Sequence, residues 1–215
     1  MKYYQVRKEM LKIMIKPTMK QQNPGFMSLR TLDYGEVTVK DPELLERLHV
    51  IGELYLSIPT KDAFYEMRKK AGLDTYDGKS LVYGRSWFEE GGIVLGQWLQ
   101  AFCRFFAATG DKRFLQRVTE YVEALAEVQK TVPDCYICGT AYMAEKVFHG
   151  LMDAVELCGI SEAYYVCKAL FDNFREIPAI KNAKCRLGDN GGSKDETYRE
   201  IEWYTLSEAV YRFAD

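Results

Sequence analysis

Histidine is scarce in this chain, as are long apolar runs and any excess of charge of one sign. Only His49 and His149 occur among 215 residues, and both are expected to be ordinary helix residues. A metal site built on several imidazoles is therefore not expected. No apolar run approaches the roughly 20 residues that a helix needs to span a bilayer, so no membrane span is predicted. The formal net charge of −2 argues against nucleic acid or an anionic membrane as the main partner.

The N-terminal residues, MKYYQVRKEMLKIMIKP, carry charges through their apolar positions, which is atypical of a secretory signal. A cytoplasmic location, or a chain whose signal is missing, is therefore expected. The length of 215 residues fits one domain with a sizeable core. We divide it into an irregular N-terminal segment, residues 1–40, and a helical domain, residues 41–215. Residues 35–41 alternate apolar and polar side chains, which predicts a short strand.

The six cysteines do not show the spacing of a small disulfide scaffold. Cys103, Cys158 and Cys167 fall on apolar faces of predicted helices, where thiols behave as small hydrophobic groups. Cys135 and Cys138 are the only pair with metal-like spacing, and neither a second such pair nor nearby histidines completes a site. Two loop thiols are therefore the favoured interpretation of this pair, with a zinc or redox site as the alternative.

Helical periodicity is strongest between Tyr83 and Gln129. From Leu95 onward, apolar residues recur at spacings typical of one helix face. After a Thr-Gly-Asp turn, a second apolar stripe runs from Phe114 to Val128. Two apolar-faced helices joined by a short turn predict an antiparallel αα-hairpin.

Similar helix pairs are predicted on either side of this hairpin. Asp41 and Pro42 are suited to begin the earlier pair. Thr60 and Asp62 are suited to cap its second helix, which Gly72 ends. The expected buried stripe of the first helix consists of Leu44, Leu48, Ile51, Leu54 and Tyr55.

A third pair is predicted around Gly159, which lies 49 residues after the turn glycine Gly110. Apolar positions match when the two hairpins are laid on each other, so a helical repeat is preferred over an ordinary helical domain. The last stretch, residues 202–215, predicts another apolar-faced helix that ends without a cap. Because such a helix needs a partner, the sequence is expected to be cut within a repeat, with Leu206, Val210 and Phe213 on an open edge.

Several stretches resemble the β-L-arabinofuranosidase-like glycoside hydrolases. YGRSWFEEGGIVLGQWLQAFCRFFAATGD, residues 83–111, is similar to that family's YGGW-type loop, GHxLGHYLSA helix and ATGD turn. FYEMRKKAGL, YMAEKVFHGLMDAVELCG and EWYTLSEAVYRF resemble further family motifs, so the resemblance extends from about Gly35 to the terminus. It implies an all-α fold, an (α/α)6 toroid of six helical hairpins around a central pocket. This chain is expected to form an incomplete toroid with about three hairpins.

Known family members use a zinc-bound cysteine thiolate as nucleophile and a glutamate as acid/base. None of the six cysteines here matches those motifs, so the resemblance assigns no catalytic residue and no cofactor to this chain, and zinc is expected only in a longer relative. The two histidines of the family's GHxLGH helix fall on Ile93 and Gln97, and a third family histidine falls on Glu145. Gln97 can exchange hydrogen bonds with sugar hydroxyls but cannot titrate near neutrality.

In such a toroid, the loops before the inner helices line one mouth of the pocket. Aromatic, amide and charged side chains suited to carbohydrate fall there in three sets: Trp87, Glu90 and Gln97; Tyr142, Glu145 and Lys146; Glu202, Trp203 and Glu208. Core filling is the alternative for the two tryptophans, and a structural ion pair is the alternative for Glu145 with Lys146. Glu202 and Glu208 are six residues apart and do not share a helix face.

The leading hypothesis is the N-terminal part of a glycoside hydrolase that contributes walls of a sugar pocket, with the nucleophile outside this chain. A non-catalytic helical-repeat module, which binds a partner or completes a toroid by self-association, is the alternative. A third interpretation is an intact enzyme of another α-toroid class. It would require a carboxylate pair such as Glu202 and Glu208 within this chain.

Overall fold

The computed structural model describes residue 32 and residues 34–81, 92–135, 141–176 and 206–214. In these ranges, a 3₁₀ turn at Tyr34–Glu36 precedes eight α-helices. They are α1 (Pro42–Leu56), α2 (Thr60–Ala63), α3 (Tyr65–Lys70), α4 (Gly92–Thr109), α5 (Lys112–Thr131), α6 (Ala141–Glu156), α7 (Glu162–Glu176) and α8 (Leu206–Ala214). The described part of the chain is all-α, as predicted. None of the described helices combines the length and the apolar character needed to cross a bilayer.

The strand predicted at residues 35–41 does not form. Tyr34–Glu36 is a 3₁₀ turn, and residues 37–40 are irregular and exposed. The turn packs on α4, where Gly35 approaches the backbone carbonyl of Ala107. An alternating segment needs a neighbouring strand for its backbone hydrogen bonds, and the described residues provide none.

Helix α1 begins as predicted but does not bury the predicted stripe. The carboxylate of Asp41 accepts a hydrogen bond from the Leu44 N–H at 3.0 Å, and proline occupies the first turn. Leu44 and Leu54 are nevertheless 55% and 62% exposed. The helix packs on the rest of the described chain through Gly52, which lies against the Phe114 ring, and through Tyr55, whose ring meets Trp98 with centroids 5.0 Å apart. Only part of the predicted stripe therefore faces the core.

The partner of α1 is also interrupted, because it breaks at Phe64 into the short helices α2 and α3. Thr60 and Asp62 do not cap it. The Thr60 hydroxyl donates to Glu120 at 2.6 Å, and Asp62 accepts from the Lys79 N–H at 2.7 Å. Both side chains are therefore used to join separate segments rather than to satisfy the start of α2.

The two hairpins predicted from periodicity are confirmed. Helices α4 and α5 are joined at Gly110, whose φ of +72° is a left-handed conformation that favours glycine. Asp111 then caps α5 by accepting a hydrogen bond from the Arg113 N–H at 2.9 Å. The stripe of α5 is buried as expected: Phe114, Val118, Tyr121, Val122, Leu125 and Val128. Gly159 makes the equivalent left-handed turn between α6 and α7.

Helices α4 and α6 lie side by side and run in the same direction. A Cβ atom added to Gly96 would stand 2.4 Å from the Lys146 carbonyl carbon, so the two backbones are in direct contact. Further along, Arg104 meets Asp153. Residues about 50 positions apart thus face each other, and this separation matches the 49-residue distance between the turn glycines.

Helix α8 continues this row on the other side of α6, and α5 and α7 form a second layer behind it. The predicted open edge on α8 is wrong at Phe213, whose ring stacks on Tyr164 of α7 with centroids 5.3 Å apart. Val210 is partly covered, and the side chain of Leu206 lies outside the described residues. The described part of the chain therefore contains a row of three parallel helices, α4, α6 and α8. Behind the row lie α5 and α7, which run antiparallel to it.

Candidate functional site

The structure places four of the nine predicted site side chains. Four of the predicted residues lie outside the described ranges: Trp87, Glu90, Glu202 and Trp203. Tyr142 is in the first turn of α6, but its side chain is not among the described ones. The side chains that can be located are Gln97, Glu145, Lys146 and Glu208.

These four side chains all lie near the N-terminal ends of the three row helices. Gln97 is in the second turn of α4, Glu145 and Lys146 are in the second turn of α6, and Glu208 is in the first turn of α8. Since the three helices run in parallel, their N-terminal ends share one end of the row. Gln97 and Glu208 are exposed there, whereas Glu145 is buried.

Glu145 is the central carboxylate of this end of the row, with only 5% of the residue exposed. Its Oε2 lies 2.8 Å from the Lys146 ammonium, and its Oε1 lies 3.5 Å from Nε2 of His149. The ammonium offsets part of the cost of burying a negative charge. Within the described residues, Oε2 accepts no hydrogen bond of good geometry. A buried carboxylate oxygen in this condition is unusual and retains capacity for a hydroxyl donor.

His149 was expected to be an ordinary helix residue, and the structure places it in the middle of a polar cluster. Its Nδ1 lies 2.9 Å from Nη1 of Arg212, which comes from α8. Burial lowers the pKa of His149, and Arg212 adds to that effect, while the carboxylates of Glu145, Glu208 and Asp153 oppose it. The signal in the sequence is a polar stripe at four-residue spacing, 145, 149 and 153, on an otherwise apolar helix.

Asp153 connects all three helices of the row. Arg104 of α4 donates to its Oδ2 at 3.0 Å, and Arg212 of α8 donates to its Oδ1 at 2.8 Å. Arg212 also donates to Glu156 at 2.8 Å. The Asp153 side chain is only 5% exposed, so its charge depends on these two guanidinium groups. The cluster formed by Glu145, His149, Asp153 and the two arginines therefore fixes how α8 sits on α6 and α4.

The described residues contain no group of three His, Cys, Asp or Glu side chains arranged to hold a metal ion. The zinc that the family resemblance implies thus finds no ligand set in this part of the chain. A cleft of about 370 Å³ opens between α1 and α5, away from the polar cluster, and is lined by paired side chains such as Arg113 and Glu53. It contains none of the predicted site residues.

Three of the four cysteines that can be located are buried in the folded chain. Cys103, Cys135 and Cys167 are fully or almost fully buried. Burial raises the pKa of Cys167 to about 12, and burial together with the neighbouring Cys158 thiol raises that of Cys103. Since the thiolate is the reactive form, these thiols are inert at neutral pH. Cys138 and Cys185 lie outside the described residues.

We expect iodoacetamide at pH 7.5 to label Cys103 and Cys167 at least about 100-fold more slowly in the native chain than in urea, because both burial and a raised pKa suppress the thiolate. Peptide mass spectrometry after timed quenching measures each thiol separately. Half-buried Cys158 serves as the internal comparison and should react faster than either. Equal labelling rates in native and unfolded protein would show that Cys103 and Cys167 are not buried.

A family model described as "Beta-L-arabinofuranosidase, GH127 catalytic domain" matches residues 36–210. The chain belongs to this family. The match covers most of the 215 residues and confirms the resemblance seen in the hairpin motifs. A search of curated proteins gave no significant match. The catalytic domain of the GH127 family is an α/α toroid, and the all-α character of the described chain agrees with that fold.

Proposed function

We propose that this GH127-family chain is the N-terminal part of a carbohydrate-active glycoside hydrolase of the β-L-arabinofuranosidase type. We further propose that the N-terminal ends of α4, α6 and α8 form a wall of its sugar pocket. The family match supports the reaction class. The single observation that carries the location is Glu145, a buried carboxylate with an oxygen that accepts no hydrogen bond among the described residues. Sugar hydroxyls are donors of the kind that such an oxygen lacks.

The other predicted residues also support a sugar pocket at the N-terminal ends of α4, α6 and α8. Gln97 and Glu208 are exposed there, where the Gln97 amide can donate and accept hydrogen bonds and the Glu208 carboxylate can accept them. Trp87 and Glu90 precede α4 along the chain, and Glu202 and Trp203 precede α8. We propose that these four residues, which closely precede α4 and α8 in the sequence, complete the wall with aromatic rings and carboxylates.

We propose that the nucleophile and the acid/base are supplied from outside this chain's sequence. None of the six cysteines stands in the family's nucleophile motif. Cys103, Cys135 and Cys167 are buried in the apolar core and cannot approach a sugar at the row's end. This chain's part in the reaction is then to bind and orient the sugar through Glu145 and its neighbours rather than to attack it.

Replacing Glu145 by glutamine should weaken sugar binding about tenfold, because the neutral amide loses a charge-assisted hydrogen bond worth about 1.5 kcal/mol. Isothermal titration calorimetry with L-arabinose and with an aryl β-L-arabinofuranoside measures the effect. Glu123→Gln is the matched control, since Glu123 is exposed on α5 in the second layer and should bind as the unmodified chain does.

Two results would count against the proposal. Unchanged affinity in Glu145→Gln would remove Glu145 from the pocket, and an unmodified chain that binds no sugar would refute the location altogether. Affinity that depends on Glu145 without any cleavage of the aryl glycoside, even in a longer form of the protein, would instead favour the non-catalytic binding module.

A further inference from the structure

We propose that Arg212 and His149 form a relay that positions the carboxylate of Glu145, with Arg212 holding the His149 ring in the tautomer that carries its proton on Nε2. Arg212 lies on α8, while His149 and Glu145 lie one turn apart on α6. The relay concerns the same end of the row as the sugar pocket, so its functional meaning rests on the proposed function. Arg212 and His149 are positioning residues, because they act through Glu145.

The tautomer follows from which atoms can donate. A guanidinium group has only N–H donors, so the Nδ1 atom that lies 2.9 Å from Arg212 must accept. A neutral imidazole whose Nδ1 accepts carries its proton on Nε2. That Nε2–H faces Oε1 of Glu145 at 3.5 Å. A doubly protonated ring would instead direct an N–H at the guanidinium, which has nothing to accept it.

The charges around the ring support the neutral form. From α6, Glu145 and Asp153 face His149; from α8, Arg212 and Glu208 do so. The three carboxylates favour a protonated ring, but burial and Arg212 outweigh them and lower the pKa of His149. The His149 ring therefore gains its proton at a lower pH than a histidine with an ordinary pKa does.

Arg212 is itself held in place by other side chains, so the position of its guanidinium group beside His149 is fixed. Its Nη2 donates to Asp153 and to Glu156, both at 2.8 Å, while Nη1 reaches His149. Asp153 is held in turn by Arg104 of α4. The guanidinium cannot rotate without losing charged hydrogen bonds. Its orientation then sets the ring, whose Nε2 lies 3.5 Å from Oε1 of Glu145.

The relay also accounts for the asymmetry of the Glu145 carboxylate. Oε1 faces the Nε2–H of His149, while Oε2 lies beside the Lys146 ammonium and accepts no hydrogen bond of good geometry in the described part of the chain. His149 thus lies beside one oxygen of Glu145 and the Lys146 ammonium beside the other, so the two oxygens have different surroundings.

Long-range ¹H–¹⁵N spectra of the full chain test the relay directly, because the chain has only two histidines and each ring nitrogen can be assigned. We expect His149 to show the Nε2–H tautomer at pH 7, and the exposed His49 serves as the internal reference. Arg212→Met removes the donor at similar length and should convert His149 to a mixture of tautomers. Arg212→Lys keeps a cationic donor and should retain the single tautomer.

An Nδ1–H tautomer, a doubly protonated ring at pH 7, or an unchanged spectrum in Arg212→Met would overturn the relay. The first two are read on the unmodified chain, so a variant that fails to fold does not affect them. None of these readouts involves a sugar. A titration with L-arabinose in the same samples should shift the His149 signals and leave those of His49 in place; no shift, with the tautomer intact, would count against the sugar pocket and leave the relay standing.

Discussion

Replacing Gly96 by alanine is expected to lower the free energy of unfolding by about 2 kcal/mol or more. The added Cβ would stand 2.4 Å from the Lys146 carbonyl carbon and 2.5 Å from the Val147 nitrogen. These are backbone atoms of a neighbouring helix and cannot turn aside, so α4 and α6 would have to separate. Alanine gains about 1 kcal/mol over glycine as a helix former, and the clash must exceed that gain for the chain to lose stability.

Urea unfolding followed by circular dichroism measures this effect, and Gly52→Ala is the matched control. Both glycines lie inside helices, but the Cβ of an alanine at position 52 would meet side chains: the tip of the Phe114 ring at 2.9 Å and the Phe105 ring at an ordinary contact distance of 3.6 Å. A ring tip can shift by a few tenths of an ångström, so this variant should remain within about 1 kcal/mol of the unmodified chain. If Gly96→Ala were as stable as Gly52→Ala, the close approach of α4 and α6 would be wrong.

The sequence predicts the hairpins well because their signals are local. The turn glycines at 110 and 159 adopt left-handed conformations that few other residues tolerate, and the apolar stripe of α5 has one clear face. Helix α1 shows where such signals fail. Its periodicity correctly predicts a helix that contains Leu44 and Leu54, but both side chains are exposed. The residues of α1 do not indicate which neighbouring helix will cover which of its faces.

The polar cluster could be predicted only in part, for a related reason. The partners on α4 and α6 lie at the repeat distance, as Arg104 and Asp153 do, so a repeat alignment places them together. Arg212 meets His149 and Asp153 across separations of 63 and 59 residues, because a longer segment precedes α8. No fixed period links these positions in the sequence. The contact of His149 with Arg212 therefore cannot be predicted from the sequence alone.

Replacing Asp153 by asparagine is expected to lower the free energy of unfolding by about 2–4 kcal/mol, toward the lower part of the range for broken buried ion pairs because both arginines are partly exposed. The change keeps the shape of the side chain but removes its charge. It also places amide N–H donors opposite the guanidinium of either Arg104 or Arg212, so only one of the two arginines keeps its acceptor at this side chain.

Glu156→Gln is the control for this change, because Glu156 also accepts from Arg212 but is 45% exposed at its side chain. Exposed ion pairs contribute about 0–1 kcal/mol, so the control should unfold at nearly the same urea concentration as the unmodified chain. Equal losses in the two variants would mean that the burial of Asp153 does not matter. Asp153→Asn should also release Arg212 and mix the tautomers of His149, whereas a purely local loss of packing would leave the His149 spectrum as it is. The stability of the three-helix row and the setting of the Glu145 carboxylate therefore depend on the same buried charge.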